Sequence, residues 1–145
     1  MILDLNNPWF VGIIGGAIGA IIAGIVLYYL FEYRKEKTLK ITRRTIITNA
    51  DSLLEKSMIV DALKIYAEMS KIVSEGMDPE DYAHIKNNEG IGYFKLAEIS
   101  NKEENLTKAI RAYEEALKIR TVEKYPLYHQ VVMSNIEKTK REMKK

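Results

Sequence analysis

Cysteine is absent from this 145-residue chain, which excludes disulfides and thiolate metal sites and agrees with a reducing compartment. Histidine is scarce. His84 and His129 are the two in the chain, and neither has a second ligand at a spacing such as H-x-x-x-H, so each is expected on a surface or groove rather than on zinc. No Gly-rich phosphate loop is written, since Gly90-x-Gly92 falls inside a helical pattern. No nucleophile-with-base motif appears, and the pairs Glu103-Glu104 and Glu114-Glu115 fit a solvated helix face. These absences predict a chain that is not an enzyme and has no catalytic residue, cofactor or metal. No stretch alternates polar and apolar residues long enough for a strand, so the expected fold class is all-α.

Charge is missing altogether from residues 9–31, WFVGIIGGAIGAIIAGIVLYYLF. As a helix these 23 residues would measure about 34 Å at roughly 1.5 Å per residue, enough for a hydrocarbon core of about 30 Å. Trp9 stands at one end, with Tyr28, Tyr29 and Tyr33 at the other, as in interfacial aromatic belts. The sequence therefore predicts a transmembrane helix over 9–31. Residues 1–8 would form a short tail outside the membrane. The basic residues Arg34, Lys35, Lys37, Lys40, Arg43 and Arg44 would hold the C-terminal part in the cytoplasm, making a single-pass membrane protein. A cleaved signal peptide fits less well, because its basic cluster would precede the apolar run. Gly12, Gly16, Ala20 and Gly24 recur every fourth residue, as do Gly15, Gly19 and Ala23. Such a stripe lets a second helix approach closely, so a homo-oligomer through the span is expected.

The charge that is present is unevenly placed. Residues 32–56 carry seven basic and four acidic side chains, against fifteen of each in 57–145. A basic juxtamembrane helix near lipid headgroups is expected from the first segment. The balanced remainder argues against nucleic acid as a partner.

Proline is confined to Pro8, Pro79 and Pro126. Asp78-Pro79-Glu80-Asp81 reads as a helix start with Asp78 as cap and Asp81 reaching back. Ser57 and Asn101 are further expected caps, and Gly76 an expected stop. Ala62-Leu-Lys-Ile-Tyr66 returns as Ala109-Ile-Arg-Ala-Tyr113, 47 residues later. The same offset pairs Lys71 with Lys118, Ile72 with Ile119, Pro79 with Pro126, Ile85 with Val132 and Asn88 with Asn135. Periods of about 20–50 residues imply stacked units that share one core.

On Gly90-x-x-Tyr93, Ala109-x-x-x-Tyr113, Ala116 and Pro126 the chain resembles the tetratricopeptide repeat family. It departs at Lys86, Glu89 and Met69, and its period exceeds the usual ~34 residues. The resemblance implies antiparallel helix hairpins over 57–145, small residues where helices close together, and aromatic rings between them. It also implies that Asn87, Asn88 and Asn135 line a peptide groove. The same asparagines could instead bond neighbouring helices or water. The function expected is a membrane-tethered adaptor or scaffold binding a protein or peptide partner at the cytoplasmic face. The alternative is a small oligomerising membrane-assembly protein of lysis or pore type, driven by its glycine-rich span.

Overall fold

The computed structural model describes residues 8–145, with side chains from Ala20 onward. Among the described residues the chain is all-α: α1 (Pro8–Glu55), α2 (Ile59–Ile72), α3 (Pro79–Ala97), α4 (Lys102–Ile119) and α5 (Pro126–Met143). Five packed helices are compatible with a helical repeat. The chain divides into two compact units, residues 1–42 and 43–145.

The first unit corrects the expected membrane span. Among the described residues no helix is long and apolar enough to cross a membrane. Residues 9–19 of the expected span lie outside those with described side chains, and residues 1–7 of the expected tail lie outside the described residues. After Phe31 the same helix carries Glu32, Arg34, Lys35, Glu36 and Lys37. The placement in a cell membrane, with the N-terminus outside and the remainder cytoplasmic, is overturned with it. Of the small-residue stripe, Gly12 and Gly16 also lie outside the described side chains. Ala20 is exposed, and a Cβ on Gly24 would meet nothing within 4 Å.

In the second unit the 47-residue offset is a property of the backbone. α2 ends at Ile72 and α4 at Ile119; α3 begins at Pro79 and α5 at Pro126. The two loops between them, 73–78 and 120–125, make the same turn. Val73 N–H donates to the Met69 carbonyl and Arg120 N–H to Ala116. Asp78 N–H donates to Ser74, and Tyr125 N–H to Thr121. The capping residues Asp78 and Tyr125 share a similar backbone, with φ −144° and −141°. Proline follows each because its ring fixes φ for a first helical turn and its missing N–H costs nothing there.

The expected side-chain caps do not form. Asp78 holds the N-cap position of α3 without a capping bond from its side chain, and the Asp81 carboxylate is taken by Arg44. Asn101 precedes α4 in the left-handed region, at φ 44°, again without a side-chain cap. Ser57 is not a cap but sits at φ 61°, in the left-handed turn that ends α1, where Met58 N–H reaches the Leu53 carbonyl. α2 ends at Ile72, before Gly76 is reached.

Two apolar clusters share α3. The first joins Ile47, Ala50 and Leu54 of α1 to Ile59, Leu63, Tyr66 and Met69 of α2 and Ile85 of α3. The second joins Ala109, Tyr113 and Ala116 of α4 to Val132 and Ile136 of α5. Ile91 and Tyr93 touch both. Gly90 shows why α3 and α4 lie so close: a Cβ there would overlap the Tyr113 ring, which is 2% exposed and has nowhere to go. A Cβ at Gly92 would meet the flexible end of Leu63.

Gly90→Ala should therefore destabilise by about 1–3 kcal/mol despite the better helix propensity of alanine, and Gly92→Ala by less. Tyr113→Ala should cost on the order of 3–5 kcal/mol. Urea melts of the three variants check the order, and a neutral Gly90→Ala would contradict the contact. A chain starting at Ser57 loses Ile47, Ala50 and Leu54 from the core. It should be less stable than one starting at Arg43 by roughly 3–6 kcal/mol, at about 1.5–3 kcal/mol for each large buried side chain. Equal thermal transitions by circular dichroism would show that residues 43–56 add nothing.

Candidate functional site

Residues 84, 88 and 91 of α3 fall at spacings of four and three, which places them along one helix face. There α3 meets the end of α1 on one side and α5 on the other. His84 and Asn88 both reach Asp51 of α1. Asp51 Oδ2 lies 2.8 Å from His84 Nε2, and Oδ1 accepts from Asn88 Nδ2 at 2.8 Å. The same Oδ1 accepts the Tyr66 hydroxyl of α2 at 2.5 Å. The run continues through Asn88 Oδ1, which accepts from Asn87 Nδ2 at 2.9 Å, and Asn87 Oδ1, approached by Asn135 Nδ2 of α5 at 3.5 Å.

The three asparagines singled out in the sequence are thus brought into one hydrogen-bonded run. Asn87 is buried, at 7% exposure, while Asn88 and Asn135 keep part of their surface in solvent. The sequence did not reveal Asp51, Tyr66 and His84 as members. Only the i,i+4 spacing of His84 and Asn88 hinted at a common face; their partner Asp51 is 33 residues away from the first.

Burial pushes the Asp51 carboxyl up, but hydrogen bonds from His84, Tyr66 and Asn88 outweigh it and hold the group below its ordinary value. Burial and the Asp51 carboxylate together drive the Tyr66 hydroxyl well above its ordinary range, so it remains a donor. The cluster is therefore a fixed anion with three donors turned toward it. Among the described residues no group of three His, Cys, Asp or Glu side chains is placed to hold a metal ion.

Beside this run lies a cavity of about 400 Å³ between the start of α3, the end of α4 and the start of α5, with His84 on its wall. Arg44 Nε donates to both Asp81 oxygens, at 3.1 and 3.3 Å, on one side of it. The Tyr125 hydroxyl donates to Glu80 at 2.8 Å. His129, expected on a surface or groove, is half-buried with Nδ1 2.8 Å from the Arg120 carbonyl.

Against known proteins the chain stands apart: it matches no family model, no curated protein and no solved structure.

A carboxylate held below its ordinary pKa adds stability that is fully present above about pH 4. That contribution is lost as pH falls through the depressed folded value. Asp51→Asn should flatten the acid side of the stability curve relative to the parent, with little change in slope above pH 5. Urea titrations between pH 2 and 7 read this directly, and an unchanged acid limb would show that Asp51 is not the group responsible.

Proposed function

We propose that residues 43–145 are a tetratricopeptide-like binding module that takes a protein or peptide partner along the face shared by α1, α3 and α5. The observation that supports it is the polar run from Asp51 through Asn88 and Asn87 to Asn135. It crosses the helices that open each hairpin, and its end amides are partly exposed. An amide both donates and accepts, so Asn88 and Asn135 can pair with a peptide unit in either sense. Asn88 at present donates to Asp51 and accepts from Asn87, and the Asn135 bond to Asn87 at 3.5 Å sits at the long limit of such contacts. Exchange of that bond for one to a partner's backbone costs little. The repeated turn supports a helical repeat, and the Tyr113–Gly90 closure supports the family likeness, because it sets an aromatic ring against a small residue as the resemblance implies. The module acts by adaptor binding rather than by catalysis.

The test is selection of peptides from a displayed random library against the full chain, with affinities then measured on Asn88→Leu and Asn135→Leu. Selected peptides should bind both variants at least tenfold more weakly, with Asn135→Leu melting within a few degrees of the parent and Asn88→Leu, which also takes a donor from Asp51, melting lower. Failure to enrich any peptide, or equal binding to both variants, would overturn the reading.

A further inference from the structure

The two copies of the interhelical turn differ at one telling position. Val73 closes the first copy, is fully buried, and belongs to the core. Forty-seven residues on, the same backbone position with the same N–H bond carries Arg120, half-buried. A cation has replaced a core valine on an otherwise repeated scaffold.

Both ends of Arg120 are held. Its carbonyl lies 2.8 Å from His129 Nδ1, and its guanidinium carbon lies 4.7 Å from the centre of the Tyr128 ring. The side chain lines the 400 Å³ cavity together with Glu80, Asp81, His84, Tyr125 and Tyr128. The two acids there are engaged elsewhere, Asp81 by Arg44 and Glu80 by Tyr125. Among the described residues Arg120 has no ion-pair partner. Burial pushes its pKa down, with Tyr128 and Glu80 opposing electrostatically. Glu80 draws the half-buried guanidinium without forming an ion pair with it, and the guanidinium's fork of donors matches a planar carboxylate.

We infer that this cavity is a carboxylate-binding pocket in which Arg120, laid against Tyr128, receives the anion. Its volume falls in the range of roughly 300–1,000 Å³ typical of small-ligand sites. The tyrosine walls suit a flat or apolar body attached to the acid. The carboxylate belongs either to a free small acid or to an acidic side chain of a protein. The pocket does not depend on the asparagine run, since none of Asn87, Asn88 and Asn135 lines it.

Two probes separate the sources: benzoate, and a tripeptide Ala-Glu-Ala blocked at both ends. Each is titrated at low salt into the full chain, with the Arg120 side-chain N–H resonance and the backbone resonances of 119–129 read by NMR. At least one probe should shift these signals saturably. Arg120→Gln should weaken that binding at least tenfold, whereas Arg111→Gln, on an exposed face of α4, should leave it unchanged. Arg120→Lys keeps the charge but loses the fork, and should weaken binding by a smaller factor; it carries the test if the glutamine variant does not fold. Benzoate alone binding assigns a free acid, and the tripeptide alone assigns a protein side chain. No saturable shift with either probe, or equal binding to parent and Arg120 variants, overturns the inference.

Discussion

Gly90 has no side chain, and the Tyr113 ring fills the space where one would be. Because that contact is between an aromatic face and bare backbone, α3 and α4 approach more closely than two helices separated by ordinary side chains. The approach brings Tyr93 and Ile91 within reach of both apolar clusters, so that α3 serves as the common wall of the hairpins on either side. Everything stacked outward from α3 inherits its spacing from this pair. Side chains in such interiors are packed at near-crystalline density, so the spacing is not one that the neighbours can adjust.

On the opposite side of α3, the organising group is charged. Asp51 receives donors from α2 and α3 while standing on α1, and so ties three helices through one carboxylate. Apolar packing fixes how near the helices lie, but slides easily along their axes. A carboxylate with three directed partners fixes their register as well. The two kinds of contact thus divide the work, with aromatic closure setting distance and the Asp51 cluster setting alignment.

Much of this was legible in the chain. Tyr66 and Tyr113, the alanines at 62, 109 and 116, and the prolines at 79 and 126 announced the repeat, since burial and helix starts impose residue types that survive in isolation. The span over 9–31 was read from the length of an uncharged run, the aromatic residues at its ends and the basic cluster that follows it. Among the described residues no helix proves long and apolar enough to cross a membrane, and residues 43–55 of the helix that carries the run belong to the packed second unit. Helix caps were misread because Asp78, Asp81 and Ser57 have capping chemistry but other geometries: Asp81 is drawn to Arg44, and Ser57 takes a left-handed turn. Asp51 and Arg120 were illegible for a different reason. Each owes its role to partners that only the fold supplies, and a single acidic or basic residue near a helix end carries no mark of that in sequence.

Since 73–78 and 120–125 are one turn written twice, residues 73–119 form an interchangeable cassette whose two ends are joined by the same geometry. The chain has a natural quantum of length. A second cassette spliced after Ile119 would leave one helix end and enter another just as the native chain does, without any loop having to be redesigned. Where α3 has Gly90, Tyr93 and Phe94, α5 carries Glu137, Lys140 and Arg141, all facing water. The face that closes on a neighbour in α3 is thus a solvated one in α5, while the turn that precedes both is the same.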